Sequence, residues 1–421
     1  MAFRDIRKSR KWLSAEEVRL LLLALVLLTG LLALNIYLAR ILPGGEQFFL
    51  RWSGARAYLV EQVEPYSMTI AERTQNIVYG RQAFSGEYPY VLNDPFHIVL
   101  LYIPLALVSD FSIARGLWML LSEAALVGLI FLLIRSLEWE PPLWLNLTLM
   151  AFGVFGYYSL VALGSGTPAV SIGFLFFIIL NSLRTFSDEL AGALLFLVAY
   201  QWEVGALFFL FVIVFVFANR RWRVLNGFGM SLAILLAVSF LSYPGWGFPY
   251  VRGVLLDWYR SASLTFAHIA SLWFPSAGFS IGLWVSLLLG VILLLEWLGS
   301  IDSHYRRVVW TACLSLAVTP LMGFAVFPSS HVVLLPALVL IVMLVWERWT
   351  RRRVWYVLLI LLPAIIIPFW LYVRVITGAP QIYLQLLTIL PPIATIIGLY
   401  WMRWWAFRSP RTWFDQIGDR R

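Results

Sequence analysis

The residues able to do chemistry are few, and they cluster. A polar stretch, residues 44–96, holds six acids, among them Glu46 and Asp94, and four arginines, Arg51, Arg56, Arg73 and Arg81, with His97 directly after it. A second polar stretch, residues 244–277, adds Arg252, Asp257 and Arg260, and His331 follows Pro328-Ser329-Ser330. A carboxylate so placed can take a proton from an attacking hydroxyl, and a guanidinium can clamp a phosphate through paired N–H donors. Glu123 and Glu203 lie inside apolar runs, where an acid is costly and faces the bundle interior or a cavity. Each residue also has a structural explanation. An acid in a first helical turn answers the helix dipole, Asp94 before a proline caps a helix, His97 sits at an interface, and arginines meet anionic headgroups.

Metal and thiol chemistry have little support. His97, His268, His304 and His331 are scattered without ligand spacing, and the single cysteine, Cys313, rules out an intrachain disulfide or a thiolate cluster. No acid cluster argues for a divalent cation, so no cofactor is expected.

The elements that must position these groups are membrane helices. Of 421 residues, 61% are hydrophobic and 13% charged, against roughly 45–50% and about 25% in soluble domains. An ordinary soluble enzyme and a disordered chain are both excluded. Apolar runs predict an all-α, polytopic bundle of about 11 to 13 spans, each of about 20 residues. They fall near 18–42, 97–109, 111–135, 142–163, 167–184, 189–218, 224–243, 278–298, 308–327, 331–347, 354–373 and 381–402. The first is too long for a signal peptide and reads as a retained anchor. The sixth is interrupted at Gln201-Trp202-Glu203; if it is two half-helices, the sidedness of residues 110–188 inverts. Pro391-Pro392 should kink the last span.

The net charge of +9 comes from short basic clusters between apolar runs, such as Arg220, Arg221 and Arg223, or Arg351, Arg352 and Arg353. That pattern is topological rather than a nucleic-acid signature, so no nucleic-acid partner is expected. It places both termini in the cytoplasm of a multi-pass cell-membrane protein, with residues 44–96 and 244–277 outside. The whole chain, 1–421, reads as one integral membrane domain: first span, loop and second span (18–109), core spans (110–243), second outer loop (244–277), C-terminal spans (278–402) and tail (403–421). In the first loop, Phe48, Trp52, Ala55 and Leu59 recur at helical spacing and predict a helix lying flat at headgroup level. Glu46, Ser53 and Ala57 share another face of it.

The order of these motifs resembles a known family. A basic N-terminus and a first span lead to Gly44, Glu46, Phe48, Trp52 and Gly54-Ala55-Arg56-Ala57, then Pro65-Tyr66, Tyr88-Pro89 and Ile103-Pro104-Leu105-Ala106-Leu107. This is similar to the polyprenol-phosphate-dependent glycosyltransferases of the membrane-embedded GT-C type, particularly family 87, which are mannosyltransferase-like. The resemblance covers about the first 230 residues. The family usually has aspartate where Glu46 stands and glutamine where Ser165 stands.

The resemblance implies an inverting hexosyl transfer from a polyprenyl-phosphate sugar to a lipid or glycan acceptor at the outer face. It implies Glu46 as the base. Arg51, Arg56, Arg252, Arg260 and His331 become candidate phosphate ligands. Asp94 and His97 would contact the acceptor, Glu203 would line the cavity, and Tyr66 would stack on sugar. Two alternatives stand beside it: a relative without activity serving as accessory subunit of a membrane complex, and a transporter or flippase for a lipid-linked substrate, which predicts paired interrupted helices.

Overall fold

Apolar segments of this length fold as helices because a bilayer offers no partner to an unpaired backbone N–H or C=O. The computed structural model describes residues 15–84, 87–261, 265–324, 327–378 and 380–408; among them there are helices and connecting turns and no strand. The basic segment before residue 15 and the tail beyond 408 lie outside the described residues, as do the side chains of Trp258 and Arg260.

The chain rises in α1 (Ala15–Ile41) and then builds a cap: α2 (Glu46–Arg56), a π-helical turn (Ala57–Glu61), α3 (Met68–Tyr79), α4 (Phe96–Leu101) and α5 (Ile103–Ala106). It returns in α6 (Phe111–Ser136), and α7 (Leu143–Phe155) and α8 (Tyr157–Ser165) follow as a pair bent by 43° at Gly156. Next come α9 (Ala169–Arg184), α10 (Asp188–Val198), α11 (Trp202–Ala218) and α12 (Trp222–Ser242). A second cap holds α13 (Gly247–Ser261) and α14 (Phe266–Trp273). The rest is α15 (Gly278–Ser300), α16 (Tyr305–Val318), 3-10 turns at Thr319–Leu321 and Pro328–Leu334, α17 (Leu335–Arg348), α18 (Arg353–Ile376), α19 (Ile382–Trp401) and α20 (Arg403–Ala406).

Among the described residues seven helices are long and apolar enough to cross a membrane, eight if the bent α7–α8 pair counts as one. This is an all-α, multi-pass membrane bundle. Two helices mark its extremes. From Val308 to Val318 every residue of α16 is buried, as expected for a helix apolar all round that occupies the centre. In contrast, α1 is bare along most of its length. It meets α6 where Gly116 has no side chain (a Cβ there would lie 2.7 Å from Ile36) and where Asn35 donates to Glu123 at 2.9 Å. Glu123, which had no assigned task, is thus a packing partner.

Several expectations need correction. The span expected at 97–109 is two short helices, α4 and α5, of six and four residues. At 1.5 Å per residue they cannot cross. Pro104, in the first turn of α5, suits a helix start and not the interior of one continuous helix. The expected sixth span is a hairpin: Asp188 at the start of α10 forms an ion pair with Arg221 just past α11, so both ends lie together. Arg184 likewise pairs with Glu138. The ends of α6, α9 and α11 therefore share one end of the bundle, the arrangement that two half-helices at residues 189–218 require. Finally, the spans expected at 167–184, 189–218 and 308–327 are helices of 11 to 17 residues, short of a full crossing by length alone. The kink expected at Pro391-Pro392 leaves α19 a single helix.

Candidate functional site

The site is built where the two caps meet the tip of the α10–α11 hairpin. Its first piece is the turn into α2. Gly44 and Gly45 hold φ of 112° and 85°, a region that side chains avoid. A Cβ on Gly45 would stand 2.7 Å from Arg115 Nε. Arg115 is buried on α6 and donates to the carbonyls of Ala39, Leu42, Pro43 and Gly164 at 3.2, 2.9, 3.2 and 2.9 Å. It thereby satisfies carbonyls that the end of α1 leaves orphaned. Glu46, half-buried in the first turn of α2, is aimed by this arrangement. Burial pushes its carboxyl above the usual carboxylate range, opposed by its own backbone N–H and by Arg115. Its charge reaches Tyr90, whose hydroxyl is raised by burial first and by Glu46 second. Tyr90 itself holds φ of 48°.

The face of α2 expected to lie among headgroups is packed on protein instead. Phe48 stacks on Trp118 at 5.5 Å and on Phe111 at 6.0 Å, and Trp52 donates to the Leu105 carbonyl at 3.1 Å. Ser53 and Ala57 are buried too, so the face they share is closed. Leu59 remains exposed because the helix changes pitch at residue 57.

A buried ion pair forms the second piece. Arg51 meets Asp94 with Nε 2.7 Å from Oδ2 and Nη2 3.1 Å from Oδ1, and Nη1 donates to the Gln47 carbonyl at 2.9 Å. Burial works against the Arg51 charge, but Asp94 outweighs it and holds the guanidinium protonated. Arg51 is spent on this pair and has no nitrogen left for a phosphate. Tyr66 is buried and donates to the Asp94 carbonyl at 2.9 Å, so it braces the loop and offers no ring face to a sugar. Asp94 pairs rather than caps.

Beside this pair lies a contact that sequence reading missed. Asp257, buried on α13, accepts a hydrogen bond from Tyr88, and Glu203 at the start of α11 stands close enough to interact with its charge. The α13 helix can approach because Gly253 has no side chain; a Cβ there would sit 2.6 Å from the Leu92 carbonyl. Asp94, Asp257 and Glu203 thus converge around Tyr88. The expected interruption at residues 201–203 was the signal for Glu203; Asp257 was noted in the second polar stretch, but nothing in the sequence paired it with Tyr88.

The remaining candidates separate. His97 is buried against Phe196, with ring centroids 5.1 Å apart, and desolvation lowers it to about 4, so it is neutral. Arg56 is half-buried, donates to the Ala106 carbonyl at 3.2 Å and stands over Trp52. Arg252 is exposed on α13. His331 is buried in the 3-10 turn and donates through Nε2 to the Thr388 carbonyl at 2.7 Å. Glu46, Arg56 and Arg252 are not drawn into the Asp94–Asp257–Glu203 group. Among the described residues no three His, Cys, Asp or Glu side chains stand so as to hold a metal ion.

An apolar hollow is walled in part by His331. A cavity of about 440 Å³ opens at the α7–α8 break and runs between α17, α18 and α19, lined by Phe152, Tyr157, Leu338, Ile360, Pro391 and Ile397 among others. A smaller hollow reaches Glu203; His331 and Leu334 line both. Glu46 lines neither of these hollows. The chain matches no protein-family model, no curated protein and no solved structure.

Proposed function

We propose that this chain is an inverting glycosyltransferase that moves a sugar from a polyprenyl-phosphate donor to a lipid or glycan acceptor. The capped end of the bundle, which the positive-inside rule places outside, would hold the reaction. One observation carries this reading: Glu203, one of the carboxyls under the two caps, lines a small hollow that shares the wall residues His331 and Leu334 with an apolar groove. A substrate with a charged head and an oily tail needs both, side by side.

In this reading the prenyl chain lies in the groove between α17, α18 and α19, and the phosphate approaches His331. Arg56 and Arg252 remain able to meet its charge, whereas Arg51 does not. The acceptor hydroxyl attacks the anomeric carbon from the face opposite the phosphate. The new C–O bond forms as the bond to phosphate breaks, and polyprenyl phosphate leaves. The proton goes to Glu46, whose raised pKa makes it a stronger base near neutral pH. Glu46 stands by Tyr90, whose ring packs edge-on against Tyr88. The assay is incubation of purified protein with polyprenyl-phosphate hexoses and membrane lipid. Consumption of a donor with formation of a glycosylated acceptor is expected; the absence of any glycosidic bond cleavage would sink the reading.

A second reading has its own observation. Helical continuity is broken at Gly156 between α7 and α8, and discontinuous helices serve transporters. Movement of intact donor across a vesicle membrane would favour it in the same assay.

A further inference from the structure

At the arginine-rich end, far from the capped site, lies a second hollow of about 790 Å³. It is walled by Arg220, Arg221 and Arg223 in the turn between α11 and α12, with Phe186 before α10 and Asp302 on the turn into α16. Arg221 is pinned: its Nε lies 3.2 Å from Asp188 Oδ2 and its guanidinium stands 5.1 Å from the Phe186 ring. Arg223 approaches Glu189 only to 3.9 Å and both side chains are exposed. Arg220 is exposed as well, on a backbone with φ of 53° that few non-glycine residues adopt. Asp188 thus offsets Arg221, and Asp302 is the one further acid lining the hollow against Arg220 and Arg223.

Two aromatics at the rim show what covers it. Phe186 is 80% and Trp222 52% exposed, which is unfavourable in water but natural at headgroup level. From Trp222, α12 continues as an exposed stripe of Met230, Ile234, Val238 and Leu241 at helical spacing. Trp222, Arg223 and the apolar track therefore follow one another along one helix, with Arg220 and Phe186 beside its start.

We propose that this hollow binds the phosphate headgroup of an anionic membrane phospholipid, with the acyl chains laid along α12. A guanidinium pair recognises phosphate oxygens bidentately. A soluble phosphate would use the arginines but leave the rim and the track without purpose. The proposal is independent of the glycosyltransferase reading.

The test uses full-length protein in nanodiscs, with lipids counted by native mass spectrometry on release. The wild type should retain phosphatidylglycerol in preference to phosphatidylcholine. The double variant Arg220→Asn, Arg223→Gln keeps a residue that tolerates the left-handed backbone; it should bind phosphatidylglycerol about thirtyfold more weakly, from roughly 1 kcal/mol per basic contact. A second pair, Phe186→Ala with Trp222→Ala, keeps the charges and should also lose retention. Equal retention of the two lipids by the wild type would overturn the proposal, and this holds even if a variant misfolds. So would undiminished retention in the arginine variant, or displacement of the lipid by glycerol phosphate, which would assign the pocket to a soluble anion.

Discussion

The Tyr88 hydroxyl donates to the Asp257 carboxylate, joining two polar segments 169 residues apart in sequence. This bond closes the first cap onto the second, and Glu203 reaches the same carboxylate from the bundle. Replacing Tyr88 by Phe should loosen α13 while leaving the bundle intact. A lost hydrogen bond of this kind costs about 1–2 kcal/mol, more where a buried carboxylate is left unpaired. Hydrogen exchange should rise in residues 87–94 and 247–257 and stay unchanged in α16 and α17. Uniform protection in the variant would refute the latch.

Glu46→Gln should reduce transfer by at least about a hundredfold, the usual share of a general base, with the protein's thermal unfolding unchanged. The pH profile adds a sign. A base must be deprotonated, and burial raises this carboxyl. Activity should therefore rise with pH through a midpoint above the ordinary carboxylate range, and that acid limb should vanish in the variant. An acid limb at ordinary carboxylate pH would contradict the role.

The Arg51–Asp94 pair makes a prediction about stability. Removing either partner leaves an uncompensated buried charge, at about 3–5 kcal/mol. Arg51→Met alone and Asp94→Leu alone should both lower the unfolding midpoint in detergent sharply, and the double variant should recover much of the loss. Strict additivity of the two would show that they do not act as a pair.

Gly45→Ala tests the turn that aims Glu46. A methyl group there meets Arg115 Nε at 2.7 Å and forces a disfavoured backbone. Activity should fall by about tenfold or more, since strain of order 1–3 kcal/mol is relieved by moving the turn. Global stability should drop by less than for the Arg51 variants, as measured by the same melts.

Filling the groove should discriminate by tail length. Leu338→Trp narrows a channel lined on both sides by apolar side chains. The KM for long-chain polyprenyl donors should rise several-fold while short-chain donors are unaffected. Equal effects on both would place the prenyl chain elsewhere.

Much was legible from one dimension alone. Lengths of apolar runs give helices, because the backbone must satisfy itself in lipid, and arginine clusters mark one end, because charge resists translocation. The helix of the first cap showed in Phe48, Trp52 and Ala55, and the interruption at Gln201-Trp202-Glu203 showed in its polarity. Fold class and the main loops follow from such local terms, each set by residues within a few turns of one another.

What only the tertiary structure decided depends on contacts between distant segments. Whether residues 189–218 form a bent rod or a hairpin is settled by Asp188 meeting Arg221, and hydropathy is the same for both. Whether Arg51 binds phosphate or a carboxylate is settled by Asp94, 43 residues on. Arg115 carried no local mark of its importance, and nothing local tied Asp257 to Tyr88, since their environments are made by other helices. Apolar periodicity says that a side chain leaves the lipid or enters it; which partner it finds there is a property of packing, and packing belongs to the whole chain.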